Sequence, residues 1–277
     1  MREFAMQGFR PEINLLLSCA RTALDKVITG RIRHLLEGEI NWAYLLRMSR
    51  AHGIIPLLYR NLKATSADLV PPTIMEELQT EFRINAKRNY LLIGELFKIL
   101  TLFNSNEIPA LPFKGPVLGS SFYGDLALRP FCDLDILLRK KDIPQAKDLL
   151  LSRGYRLNFS LTPKQEIAFL HAHSEYSFIH EKSHILVELQ WEILPSREFP
   201  LAYDLETPWK RLESTSLEGR IVPALSSEDL LLALCLHGAK HCWERLIWIC
   251  DLAELIRVHK GIDWELVFEQ ASRQNLR

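Results

Sequence analysis

The stretch Phe113–Leu138, FKGPVLGSSFYGDLALRPFCDLDILL, decides how the rest of the chain reads. Its second half, CDLDILLR, has the apolar content of a strand. Residues two apart on a strand share a face, so Asp133 and Asp135 stand together. Leu134, Ile136 and Leu138 then point to the opposite face, toward a core. At about 3.3 Å rise per residue the two carboxylates lie roughly 6–7 Å apart. Like charges at that spacing repel and raise each other's pKa, and a divalent cation removes the penalty. Mg²⁺ takes oxygen ligands, often one or two carboxylates together with substrate phosphates, and a pair of such ions clamps an in-line transfer at phosphorus. A bare Asp-x-Asp is more often solvent-exposed and inert, so the surrounding residues carry the weight.

Upstream, Ile108–Leu111 reads as a short strand that ends at Lys114-Gly115, with Pro116 opening a helix. A strand–Gly–helix junction presents backbone N–H groups where a phosphate sits, and the lysine adds a point charge. The Walker A spacing is absent. Arg129, four residues before Asp133, either holds a phosphate or pairs with one of the strand aspartates. Gly124 suits the end of the helix after Lys114. Downstream, Asp142 and Gly154 bracket a further helix as cap and stop. Residues 175–194, EYSFIHEKSHILVELQWEIL, read as a hairpin turning at Glu181-Lys182-Ser183. Val187, Leu189 and Trp191 face one way, and Glu188, Gln190 and Glu192 the other. Glu188 is thus placed to be the further acid that a two-metal site takes from another strand.

Outside this centre the chain reads as helix. Trp42–Leu58 carries apolar residues at helical spacing, with Asn41 as cap. The run from Pro71-Pro72 stays helical to Asn104. A helix capped by Ser226 or Ser227 opens the C-terminal part, which ends inside helix and therefore reads as a domain or a fragment. The expected organisation is a helical region over 1–106, a core over 107–215 and a helical region over 216–277. The fold class is α+β: a small mixed sheet flanked by helical regions at both ends.

Bulk properties narrow the classes. The 277 residues carry 34 basic and 34 acidic side chains, which argues against a long nucleic-acid partner. No apolar run reaches the length of a bilayer span, so no membrane partner is expected. Five cysteines without framework spacing read as reduced thiols, which with no signal segment at the start implies a cytoplasmic protein. His237 and His241 share a helical face, a spacing seen in zinc pairs but more often a packing feature. His171 and His173 read as part of a polar loop, and Lys87-Arg88 as a solvated face.

Together these motifs resemble the uncharacterised nucleotidyltransferase family of bacteria, nucleotidyltransferase family 5, within the DNA polymerase β-type superfamily. The matching pieces are Phe113-Lys114-Gly115, Tyr123-Gly124-Asp125, Arg129-Pro130, Asp133-Leu134-Asp135 and Gly154-Tyr155. The helical stretches 40–62 and 236–255 are similar to the family's flanks. The resemblance implies that Asp133, Asp135 and Glu188 are catalytic and bind Mg²⁺ or Mn²⁺. It implies that Lys114 and Gly115 cradle a nucleoside triphosphate, and that His241 lies near the base or acceptor. Gly119, the other glycine that fits the superfamily's pattern, falls mid-helix. Where the family has Asp-Leu-His-Trp, this chain has Glu188-Leu189-Gln190-Trp191, which lengthens one ligand and removes an imidazole. The implied reaction is transfer of a nucleoside monophosphate to an acceptor hydroxyl with release of pyrophosphate. The acceptor is a small molecule, a peptide or protein, or RNA. The competing readings are a nucleotide-binding regulatory module that has lost its chemistry, and a toxin-like transferase acting on tRNA.

Overall fold

The computed structural model describes residues 8–192 and 207–273. Four helices come first: α1 (Pro11–Cys19), α2 (Lys26–Leu36), α3 (Trp42–Ala51) and α4 (Ile55–Thr65). The Asn41 side chain caps α3 as expected, accepting from the Tyr44 N–H at 3.0 Å. Then α5 (Pro72–Asn104) runs 33 residues from a proline at its start. Its first half closes the N-terminal helical core, and its second half lies under the sheet, where Leu92, Leu96, Ile99 and Phe103 are buried. Between the halves, Asn85 and Asn89 turn their amides onto backbone carbonyls of Leu126, Ala127 and Arg129 at 2.6–2.9 Å. The helix therefore holds the loop that leads into the acidic strand.

The sheet is built from β1 (Ala110–Pro112), β2 (Asp133–Leu138), β3 (Tyr155–Leu157), β4 (Glu175–His180) and β5 (Leu186–Gln190). Its order is β1-β2-β5-β4-β3. The β2–β5 pair is parallel and the other pairs are antiparallel, so the sheet is mixed, as expected. Short helices α6 (Gly115–Ser121), α7 (Ile143–Ser152) and α8 (Pro163–Ala172) fill the connections. Leu134, Ile136, Leu138, Val187 and Leu189 are fully buried and pack on one face with the second half of α5 and with α7. Gly124 and Gly154 both take positive φ, at 71° and 84°, where the sequence places its helix stops.

Three local readings change. Asp142 precedes α7, yet its side chain makes no capping bond. The preceding residues already form a helical turn, in which the Asp142 N–H donates to the Arg139 carbonyl at 2.9 Å. His171 lies in the last turn of α8 and is not in a loop, and His173 is that helix's C-cap. The expected boundary at 215/216 falls inside a hairpin of β6 (Glu213–Leu217) and β7 (Arg220–Ala224), which follows the one-turn helix α9 (Thr207–Lys210). Glu218 and Gly219 both have positive φ in the two-residue turn, the geometry that matches strand twist. This hairpin leans on α6, with Ser121 Oγ and Thr215 Oγ1 2.9 Å apart. The continuation of the 175–194 hairpin past Glu192 and the C-terminal residues 274–277 lie outside the described residues.

The chain returns through α10 (Ser227–Lys240), α11 (Leu246–Val258) and α12 (Trp264–Arg273), with Ser226 accepting from the Asp229 N–H to cap α10. One buried ion pair joins these helices to the sheet. Arg129 Nε and NH2 each donate to Asp251 of α11 at 2.7 Å, and the Tyr123 hydroxyl donates to the same carboxylate at 2.8 Å. Burial works against the charge on Arg129, but Asp251 more than offsets it and holds the guanidinium above its usual pKa. Removing one partner strands the other charge in the interior. Asp251→Ala is therefore expected to destabilise the fold by about 3–5 kcal/mol in urea unfolding, whereas the apolar pair Arg129→Met with Asp251→Leu costs much less. Equal losses from both changes would show that the network contributes through shape and not through charge.

Candidate active site

On the face of β2 opposite the buried leucines, Asp133, Asp135 and Leu137 line up, and the parallel register sets Asp135 directly beside Glu188 of β5. Apolar burial on one side of both strands thus brings two of the acids together on the other. Asp135 is 6% exposed and Gln190 5%. Gln190 bridges them: its amide Nε2 donates to Asp135 Oδ1 at 2.7 Å and to Glu188 Oε2 at 3.2 Å. Lys114 Nζ stands 3.1 Å from the same Asp135 oxygen, and its ammonium also lies 4.7 Å from the centre of the Phe113 ring.

The electrostatics carry the mark of crowding. Burial first, and then the charge of Asp135, pushes the Asp133 carboxyl above its ordinary range. Burial pushes Glu188 up to about 7, with Asp135, Glu175 and Asp133 adding to it. All the oxygens belong to hard ligands of the kind Mg²⁺ prefers. Among the described residues, however, no three His, Cys, Asp or Glu side chains form a group that could hold a metal ion. Gln190 and Lys114 take the space beside Asp135 that such a cage needs. What fits is narrower: two aspartates on one strand face, one of them paired with Lys114, suited to a divalent ion that would bring most of its other ligands with the substrate.

Lys114 sits at φ 55° and ψ −131°, a backbone region that costs a non-glycine residue on the order of 1–3 kcal/mol. The strain falls where the strand β1 turns into α6, and it aims the lysine at Asp135. Gly115 follows it as the first residue of α6, where a Cβ would meet the Phe131 ring at 3.4 Å. Gly119 is inside α6. Arg129 does not reach for either strand aspartate or an open phosphate position. It is 7% exposed and committed to Asp251. Its charge is still felt at Asp133.

His237, His241 and Trp248 form an aromatic cluster with ring centroids 4.8–5.3 Å apart. Gly238 makes room for a second tryptophan, since a Cβ there would lie 2.3 Å from the Trp243 ring. His241 closes α10 as its C-cap. His237 is the member whose charge state ties it to the site. Burial first, then the charges of Lys114, His241, Arg129 and Lys240, pushes its imidazole down to about 3. Sequence reading placed His241 near the site and read His237 only as its packing partner on the same helical face. It also counted Gln190 as a missing imidazole and not as a donor shared by two acids. Between about pH 6.5 and pH 3 the unfolded chain binds a proton at His237 that the folded chain refuses. Stability from this residue is therefore present above pH 6.5 and lost on acidification, by no more than about 1.4 kcal/mol per pH unit. His237→Asn is expected to flatten the fall in urea-unfolding free energy between pH 7 and pH 5. An unchanged slope would place the proton uptake elsewhere.

Among curated proteins none matches the chain. Solved structures resemble it distantly. The lincosamide antibiotic adenylyltransferase LnuA, lincomycin-bound, is 18% identical, covering 60% of this chain and 97% of its own, with a TM-score of 0.40. ANT(2'')-Ia in complex with adenylyl-2''-tobramycin is 14% identical, covering 65% and 94%, with a TM-score of 0.45. An antigenic nucleotidyltransferase-like protein from Paracoccidioides brasiliensis is 15% identical, covering 65% and 85%, with a TM-score of 0.38. Likenesses this distant place no substrate. The family model for uncharacterised nucleotidyltransferases, in contrast, matches residues 38–277, which takes in the helical lead-in, the acidic strands and the C-terminal helices, and the chain belongs to that family.

Proposed function

We propose that the protein transfers a nucleoside monophosphate group from a nucleoside triphosphate to an acceptor hydroxyl. The observation that carries this reading is the meeting of Asp135 and Glu188 across parallel strands, with Asp133 on the same face and Lys114 against Asp135. In the reaction the acceptor oxygen gives up its proton and bonds to the α-phosphorus. The bond from that phosphorus to the bridging oxygen breaks, and pyrophosphate leaves with the electron pair. Asp133 and Asp135 are the residues that would hold Mg²⁺, or Mn²⁺, and Glu188 would be the third acid, on the acceptor side. When bound, the ion supplies positive charge to the phosphoryl oxygens and relieves the aspartates of their repulsion. Lys114 and Gly115 hold the triphosphate. Gln190 fixes the orientation of Asp135 and Glu188 through its two hydrogen bonds. His241, edge-on to His237 and tilted against Trp248, flanks the base or the acceptor.

One observation favours a second reading. Lys114 and Gln190 already satisfy Asp135 without a metal, which suits a module that binds nucleotide and performs no chemistry. Turnover separates the two. With Mg²⁺ and each labelled nucleoside triphosphate, an active transferase releases pyrophosphate or labels an acceptor in a cell extract, and EDTA abolishes the signal. Asp133→Asn is expected to lower the rate by roughly 10²-fold or more, the scale of losing one preorganised electrostatic contact. The same variant is expected to melt at or above the wild-type temperature, because it removes a buried charge from beside two others. Thermal stabilisation by nucleotide without any turnover supports the binding module. If no triphosphate stabilises the protein with either Mg²⁺ or Mn²⁺ present, both readings fail.

A further inference from the structure

Two donors converge on one oxygen of Asp135. Lys114 Nζ lies 3.1 Å from Oδ1, and Gln190 Nε2 donates to the same atom at 2.7 Å. The side chains of Lys114 and Asp135 are 14% and 7% exposed, so water and salt screen the pair little. The root of the lysine is pinned on both sides. The Phe113 N–H donates to the Asp135 carbonyl at 3.2 Å, and the Lys114 carbonyl accepts from the Leu118 N–H at 2.9 Å in the first turn of α6. The backbone between those two bonds takes the positive φ that aims the ammonium at the carboxylate.

That ammonium stands where a divalent ion has to come. Mg²⁺ binds a carboxylate oxygen at about 2.0–2.1 Å. A second cation 3.1 Å from the same oxygen repels it, and in a largely buried site the repulsion is far stronger than in water. Gln190 adds to the obstacle, because its amide reaches Glu188 Oε2 at 3.2 Å as well and so sets a hydrogen-bond donor between the acids of the two strands. The obstacle is movable. A lysine carries its charge at the end of four rotatable bonds, so the ammonium can leave Asp135 while the backbone at Lys114 stays fixed. A lone cation gives it no reason to leave. An anion offers it another partner.

We propose that the Lys114–Asp135 pair is a lock on the metal position, which shuts out a divalent ion that arrives alone and yields to one that arrives with a polyphosphate. The polyphosphate half of the proposal rests on the nucleotidyl-transfer reading above. In the closed state Lys114 neutralises Asp135. When triphosphate oxygens come within reach the ammonium shifts to them, and Asp135 is released to the ion they carry. No covalent bond changes, and neither side chain is left without a counter-charge. The affinity for a lone ion is then the intrinsic affinity scaled down by the small fraction of molecules in which the ammonium has left Asp135. The contacts that favour a binding module over a transferase become, on this reading, the resting state of the transferase.

The test uses the full chain without nucleotide and Mn²⁺ as the probe, with the free aqua ion counted by electron paramagnetic resonance. Lys114→Met removes the charge, and Lys114→Gln removes it while keeping a donor for Asp135. Each is expected to bind Mn²⁺ roughly tenfold or more tightly than the wild type does. Lys114→Arg keeps the charge and is expected to stay near the wild type, and adding Asp135→Asn to Lys114→Met is expected to abolish the gain. Melting curves of each variant with and without Mn²⁺ show that it is folded. In the wild type, Mn²⁺ alone is expected to leave the melting temperature unchanged, and Mn²⁺ with a non-hydrolysable triphosphate to raise it. The lock is overturned if neither neutral variant gains affinity, if Lys114→Arg gains as much as Lys114→Met, or if the gain survives Asp135→Asn. It is also overturned, on the wild type alone, if Mn²⁺ stabilises the protein as much without the triphosphate as with it. Neutral variants that gain Mn²⁺ while the wild type takes up no triphosphate keep the exclusion of the lone ion and remove the nucleotidyl-transfer reading instead.

Discussion

The parallel pairing of β2 with β5 is the constraint on which the rest of the molecule depends. Both strands bury alternate residues, Leu134, Ile136 and Leu138 on one and Val187 and Leu189 on the other, against the same layer of helix. A slip of one residue in either strand would turn that entire set toward the wrong face. Apolar burial, at roughly 25 cal/mol per Å², therefore fixes the register, and the register fixes where the acids meet. Asp135 and Glu188 become neighbours because their apolar flanks leave them no alternative. Their repulsion is offset locally, by the Gln190 amide between them and by the Lys114 ammonium on Asp135.

The helices on either side are tied to this centre by polar contacts and not by apolar packing alone. Asn85 and Asn89 of α5 hold the carbonyls of the segment leading to β2, and Arg129 in that segment is locked to Asp251 of α11. The loop that delivers Asp133 is thereby gripped from the N-terminal helices and from the C-terminal ones at once. This accounts for a buried ion pair in a place where two apolar residues would pack at lower cost. A bidentate pair sets direction as well as distance, and direction is what a loop bearing an acidic side chain needs. The strained backbone at Lys114 follows the same logic, since a relaxed residue there would send the side chain elsewhere.

Much of this was legible from residue order alone. The alternation in DLDILL and LVELQW set which residues face the core, the Lys114-Gly115 junction set where a strand becomes a helix, and Asn41, Ser226, Gly124 and Gly154 marked element ends. What escaped was long-range or hidden in ordinary side chains. Arg129 pairs with a residue 122 positions away, and no local pattern announces it. The β6–β7 hairpin was missed because its turn is Glu218-Gly219, where only the glycine signals positive φ. Asp142 looked like a cap because residue type was right, but the turn before it had already used the position.

The charge layout bears on how a substrate could enter such a site. The chain is neutral overall, with 34 charges of each sign, so attraction at long range is weak and recognition has to be local. Lys114 and Asp135 are both largely buried, and each serves as the other's counter-charge. On the proposed function, a nucleotide arriving with its divalent ion carries both signs too: anionic phosphate for Lys114 and a cation for the aspartates. Binding then exchanges one internal pair for two intermolecular ones, and neither side chain passes through an unpaired buried state. A site of bare carboxylates would pay more heavily while empty, because three like charges in a half-buried pocket oppose folding. The resting pair lets the fold hold its acids in position before the substrate that needs them is present.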